Sequence, residues 1–159
     1  MSLLFDSLRD LAELALGCTD CRTRSEASVG PSLPPPARKM GGFVYLSSPN
    51  AALEVGVLAA PRDCMLLAAR LLGQSSKTNL PESLVRGAMC ELAYLLAGGV
   101  KRRLTAAEAL SVGQPMFFNG DLPTQVESPA QLIHVELDGI RATLVSVART
   151  ESARLLLSA

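Results

Sequence analysis

Residues 80 to 104 constrain the fold of this chain more than any other stretch. Leu84, Val85, Ala88, Met89, Leu92, Leu95 and Leu96 recur at helical spacing and predict the buried side of one long helix. Asn79 reads as its N-cap, with Glu82 three residues on to complete a capping box. Lys101, Arg102 and Arg103 fall in the last turn, where positive charge suits the negative end of the helix dipole. The segment is therefore expected to run as the longest element, to about Leu104.

The flanking elements follow from periodicity and turn chemistry. Leu3, Leu4, Leu8, Leu11, Leu14 and Ala15 predict an amphipathic first helix that ends at Gly17. Residues 18 to 30 are polar, with room for a short strand. The run Pro34-Pro35-Pro36 makes residues 30 to 39 a stiff, extended connector. Leu53, Val55 and Val57 alternate with Glu54, Gly56 and Leu58, and Ser48 to Ala51 reads as a tight turn, so 41 to 60 is a β-hairpin. Pro61 fits the first turn of a helix that stops at Gly73. Leu110 to Phe118 reads as a strand whose Pro115 argues for a sheet edge or a bulge. Ile133, Val135 and Leu137 form the inward face of another strand on one side of Asp138-Gly139, a strong hairpin signal, with Ile140 to Ala148 returning. Residues 150 to 157 suit a short terminal helix. Helix-then-strands occurs twice. The expected class is α/β in the α+β sense, a single domain over 1 to 159 built from two such halves whose sheets join.

A chain of 159 residues can bury a substantial core, and Ala, Leu and Val must fill it because there is no Trp. Its formal charge is zero, which leaves no electrostatic footprint for nucleic acid or anionic lipid. Charges interrupt Met1 to Gly17, no basic segment precedes it, and no apolar run is expected to span a membrane. The expectation is a cytoplasmic protein with reduced cysteines.

Several chemistries lack their residues. There is no phosphate loop and no Gly-rich dinucleotide fingerprint. His134 is the sole histidine and is expected on a solvated strand face with Leu132 and Glu136, so Ser-His-Asp and Cys-His catalysis find no local support. Cys18-x-x-Cys21 follows a helix end, whereas a redox pair favours a helix start that lowers the thiol pKa. A zinc site would need about two more ligands than this pair supplies. No metal and no cofactor is expected.

One polar feature remains. Gly87, Glu91, Tyr94 and Gly98 recur at spacings of four, three and four, and so share one face of the long helix. A carboxylate and a phenol stand together between two residues small enough to admit another backbone. The alternative is a solvated stripe whose glycines are needed for packing against the sheet.

The run Ala88-Met89-Cys90-Glu91-Leu92-Ala93-Tyr94-Leu95-Leu96-Ala97-Gly98-Gly99-Val100-Lys101 resembles the central helix of the CheC/CheX chemotaxis phosphatases. Gly41 to Gly73 looks like that family's strand–strand–helix segment. Leu110 to Pro115 looks like the strand after the helix, and 130 to 149 like the closing hairpin. The resemblance spans about 41 to 149 and implies a CheX-like fold. It implies docking on the phosphorylated receiver domain of a response regulator, with the receiver supplying the Mg ion and the acyl phosphate. A helix glutamate, here Glu91, engages the receiver's lysine, and an asparagine in Glu-x-x-Asn positions the attacking water. Tyr94 stands at the asparagine position, Gly87 one turn before the glutamate, and Pro115 is kept. A carboxamide can both donate to and accept from a water, whereas the tyrosine ring would occupy the water's space. The expectation is a receiver-docking protein, with Gly87, Glu91, Tyr94, Gly98 and Pro115 at the interface and weak or lost phosphatase activity. A working phosphatase and a non-catalytic assembly domain, with a homodimer through sheet edges, are the alternatives.

Overall fold

The computed structural model describes residues 3–29, 38–104, 110–121 and 130–158. In chain order the elements are α1 (Leu3–Ala15), β1 (Cys21–Val29), β2 (Arg38–Ser47), β3 (Ala52–Ala59), α2 (Pro61–Leu71), α3 (Glu82–Arg103), β4 (Ser111–Val112), β5 (Met116–Asp121), β6 (Ala130–Leu137), β7 (Ile140–Ala148) and α4 (Glu151–Ser158). One seven-stranded sheet runs β1-β6-β7-β3-β2-β4, with β5 also pairing β2, and every pairing is antiparallel. The fold is α+β, as the order of elements predicts.

α3 lies across β2 and is flanked by α1 and α2. Its inward residues Val85, Ala88, Met89, Leu92, Leu96 and Val100 join Val44, Val55, Val135 and Leu144 of the sheet and Leu4, Leu8 and Leu67 of the neighbouring helices in one core. Two glycines set the spacing. A Cβ on Gly42 would stand 2.6 Å from the Met89 carbonyl and 2.9 Å from Ala93 Cβ, so β2 reaches α3 only where it lacks a side chain. A Cβ on Gly99 would meet Ser7 of α1 at 3.2 Å.

The Asp138-Gly139 hairpin forms as expected, with φ of 48° and 84°, the doubly positive geometry of a two-residue turn. Asp138 has a second task. Its carboxylate accepts the N–H groups of Thr19 and Asp20 at 3.1 and 2.7 Å and pairs with Arg70 of α2 at 3.0 Å. The turn thereby ties down the chain between α1 and β1. Those backbone N–H donors, Asp20's foremost, hold the carboxyl below the usual aspartate range.

Five expectations need correction. The long helix starts at Glu82, not after Asn79, and has no side-chain cap. Pro81, at φ −57° and ψ 146°, launches it instead, and its carbonyl accepts from Leu84 and Val85 at 3.0 and 3.2 Å. The strand expected over 110 to 118 is broken into β4 and β5 at residues 113 to 115. Gly113 N–H still reaches Tyr45 O at 2.8 Å, but Pro115 has no N–H to continue the ladder. The break lies on the outer side of β2, at the sheet edge.

The polar stretch after α1 becomes β1, a nine-residue edge strand rather than a short one. α3 is long and apolar enough by composition to cross a membrane, contrary to the hydropathy expectation, but half of that window is buried inside the fold. Finally, the sheet face away from α3 is not uniformly solvated. Leu58, Ala130, Leu132, Val145 and Val147 bury one another there beside Phe43 and Phe118, whose rings meet edge to face. His134 is half-buried, not solvated. The proline-rich residues 30–37 lie outside the described residues.

Candidate functional site

The outward face of α3 brings together most of the residues singled out by spacing. Gly87, Glu91 and Tyr94 are exposed, and Gly98 is half-buried. Tyr94 keeps 44% of its surface open. Among the described residues, neither Glu91 nor Tyr94 has a hydrogen-bond or ion-pair partner. On a helix, positions three and four apart lie about 5–6 Å from each other at Cβ, so the carboxylate and the phenol are neighbours on one surface.

Among the described residues, the two ridge glycines serve no packing purpose. A Cβ on Gly87 would meet nothing within 4 Å, and one on Gly98 only the far end of Arg102 at 3.6 Å. The alternative in which they are needed against the sheet is therefore wrong for this pair. The close approach of α3 to the sheet falls at Gly42 of β2, and its close approach to α1 at Gly99.

Leu84 corrects the buried-side assignment. It is 47% exposed, and the helix turns it to the ridge side, one turn before Gly87 and seven residues before Glu91. Leu95 is half-buried at the margin. The ridge thus carries an apolar contact that sequence reasoning placed in the core. The signal was the seven-residue interval to Glu91, which is almost two whole turns. Pro115 lies half-buried between β4 and β5. α3 and β5 touch where the Arg86 guanidinium sits 4.9 Å over the Phe117 ring.

The basic residues at the end of α3 divide. Arg103 turns to α1, pairing with Asp10 and reaching Ser7 Oγ at 3.4 Å. Lys101 and Arg102 remain exposed.

The cysteines offer no reactive thiolate. Burial raises the pKa of all four, that of Cys21 to about 11 and that of Cys64 to about 12. Cys64 Sγ donates to the Met40 and Ala59 carbonyls at 3.4 and 3.5 Å, the behaviour of a packed core thiol. Among the described residues, no three His, Cys, Asp or Glu side chains group as metal ligands.

No protein-family model matches the chain. No curated protein matches it. Solved structures do. CheX from Vibrio vulnificus is 12% identical, with 92% of this chain and 97% of that one aligned at a TM-score of 0.73. A CheC-like superfamily protein from a Shewanella species is 13% identical, covering 92% and 94%, also at 0.73. CheX from Borrelia burgdorferi, solved in complex with CheY, BeF3 and Mg, is 13% identical, covering 94% and 96%, again at 0.73. At such identity the likeness concerns the fold, and it extends over nearly the whole of each chain: this protein has the fold of the CheX and CheC chemotaxis proteins.

Proposed function

We propose that this protein is a cytoplasmic, CheX-like module that docks on the receiver domain of a response regulator, in chemotaxis or another two-component pathway, and has weak or lost aspartyl-phosphate phosphatase activity. The observation that carries the reading is the outward face of α3. Among the described residues, Glu91 and Tyr94 stand exposed without partners, between Gly87, which opens onto free space, and Gly98, which meets only the tip of Arg102, on a fold shared with a CheX solved in complex with CheY.

Glu91 supplies the charge for a receiver lysine. Gly87 and Gly98 let the receiver backbone come close, and Leu84 adds an apolar contact beside them. Pro115 shapes the neighbouring edge. Tyr94 fills the space where a carboxamide would hold a water in line with the phosphorus. Its hydroxyl lies farther from the backbone than an Asn side chain reaches, so docking is kept while the geometry for hydrolysis is not. The protein needs no cofactor of its own in this reading, because the receiver brings the Mg ion.

The test has two arms, run over the receiver domains of the same organism. Binding is measured by titration against each receiver activated with BeF3 and Mg. Phosphoryl loss is measured over time with and without the protein at catalytic concentration. The expected result is binding that Glu91→Ala weakens by about tenfold or more, as loss of one member of an interfacial charge pair does. Phosphoryl loss is expected to be nearly unchanged, and Tyr94→Asn to accelerate it. Failure of every receiver to bind, with Glu91→Ala altering stability alone, would overturn docking. Rapid phosphoryl loss with the parent protein would overturn the loss of activity.

A further inference from the structure

The face of the sheet turned away from α3 holds a second polar concavity, distinct from the docking ridge. Gly42 faces α3, so Gly41 and Lys39, adjacent to it and three before it in the alternating strand, face the other way. Val135 and Leu144 enter the core beneath the helices, whereas His134 and Thr143 pair across the opposite surface. At this end of the sheet a cleft of about 420 Å³ is lined by Arg24, Lys39, His134, Arg141 and Thr143.

Three features make this cleft more than a patch of surface charge. First, Arg24 is the extra residue of a β-bulge. Thr23 sits opposite Val135 and Ser25 opposite His134, leaving Arg24 without a cross-strand partner and re-aiming its side chain. Second, the positive charges come from three separate strands, β1, β2 and β7, in a chain whose formal net charge is zero. Among the described residues, Glu136 pairs with Arg22 at 2.5 Å and lies about as far as an ion pair reaches from Arg24 (3.9 Å) and Arg141 (4.0 Å), and Asp20 stands 3.9 Å from Arg22. Two carboxylates do not offset four cations. Among the described residues, Lys39 has no ion-pair partner. Third, the imidazole of His134 shares a hydrogen bond of 2.9 Å with Thr143 through Nδ1, which fixes the ring. Burial, then Lys39 and Arg24, hold that ring below the usual histidine pKa, as expected where the local field opposes added positive charge.

We propose that this cleft binds a small phosphate monoester, with Arg24, Lys39 and Arg141 meeting the phosphoryl oxygens and His134 and Thr143 forming its floor. Guanidinium groups match phosphate oxygens two at a time, and a lysine adds a point charge. A dianion with three terminal oxygens uses all three cations, which a monovalent carboxylate does not. The volume exceeds what bare phosphate fills and lies within the range of small-molecule sites.

Because His134 is the sole histidine of the chain, its imidazole signals in a nuclear magnetic resonance spectrum report this cleft alone. Glucose 6-phosphate, inorganic phosphate and chloride are titrated separately at equal ionic strength. The expected result is a saturable shift of the His134 signals with glucose 6-phosphate, weaker binding of inorganic phosphate and no saturable shift with chloride. Lys39→Ala and Arg141→Ala should each weaken the ester by about tenfold, the cost of one charge-assisted contact, with the remaining amide signals in place to show an intact fold. A shift that chloride reproduces, or that survives unchanged when Lys39→Ala and Arg141→Ala are combined in one protein, would overturn the site. Equal affinity for inorganic phosphate and the ester would overturn the assignment of the ligand.

Discussion

α3 has two faces, and both carry glycine. On the inward side, Gly42 of β2 and Gly99 of α3 mark places where another part of this chain already occupies the space a Cβ would need. On the outward side, among the described residues, Gly87 fronts open space and Gly98 the tip of the Arg102 side chain. The inward residues Met89, Ala93, Leu96 and Val100 are completely buried, whereas Leu84 and Tyr94 keep 47% and 44% of their surface open. The same residue type therefore carries opposite meanings. Inward glycines are explained by the fold. Outward glycines inside a helix cost stability without a return in packing among the described residues, and it is on that side that the proposed docking surface lies.

The comparison is broken most directly by deleting a buried side chain. Leu96 is fully buried at the centre of α3. Leu96→Ala should destabilise the protein by about 2–5 kcal/mol, the transfer and cavity cost of a core leucine, read as a shift of the denaturant midpoint. Leu84→Ala, on the outward side, should change stability by less than about 0.5 kcal/mol. Equal losses would show that the two faces do not divide as described.

Gly42→Ala should cost about 1–3 kcal/mol, as overpacking does. The atoms its Cβ would meet are mainly backbone, the Met89 carbonyl at 2.6 Å and Cys90 Cα at 3.1 Å, which cannot swing aside. A Gly42→Ala protein as stable as the parent would mean that α3 slides freely over the sheet, and close packing would no longer explain the inward glycine.

Periodicity made much of this legible in the sequence, and the misreadings have local causes. The first helix, the 41–60 hairpin, Pro61 at a helix start and Asp138-Gly139 at a turn all rest on interactions within a few residues, and all are present. The ridge was legible for the same reason, since spacing alone puts Gly87, Glu91 and Tyr94 on one side. Leu84 was misplaced because hydrophobicity outvoted angle: a leucine beside Val85 reads as core, yet it points with Glu91. Asn79 lost its capping role to Pro81, whose fixed φ was the stronger local signal. The cleft around His134 was not legible at all. Arg24, Lys39 and Arg141 meet only after β1 and β2 reach opposite sides of the β6–β7 pair, and the bulge at Arg24 leaves no mark in an alternating pattern.

A smaller effect tests the inward side from the sheet. Ser146 of β7 is 1% exposed, and its hydroxyl has no hydrogen-bond partner among the described residues. An unpaired buried hydroxyl carries its desolvation cost uncompensated. Ser146→Ala should therefore raise stability by about 1 kcal/mol. A loss of that size would indicate a bridging water holding the hydroxyl and would make this part of the inward face polar by design.

The smallest change in stability is the most informative about the outward side. Gly87→Ala adds one methyl group where nothing lies within 4 Å. Alanine loses less backbone freedom than glycine in a helix, so the isolated protein should gain about 0.5–1 kcal/mol. If a receiver backbone approaches at Gly87, the same methyl group should weaken binding of a receiver activated with BeF3 and Mg, although it removes no contact. Thermal unfolding reads the first quantity and titration reads the second. Opposite signs would show that the glycine is kept for a partner at the expense of the helix. A gain in stability with binding unchanged would leave Gly87 outside the interface and shift the docking surface toward Tyr94 and Gly98. A loss of stability would mean that the open space is filled in solution, and the contrast between the two faces of α3 would fail at its clearest point.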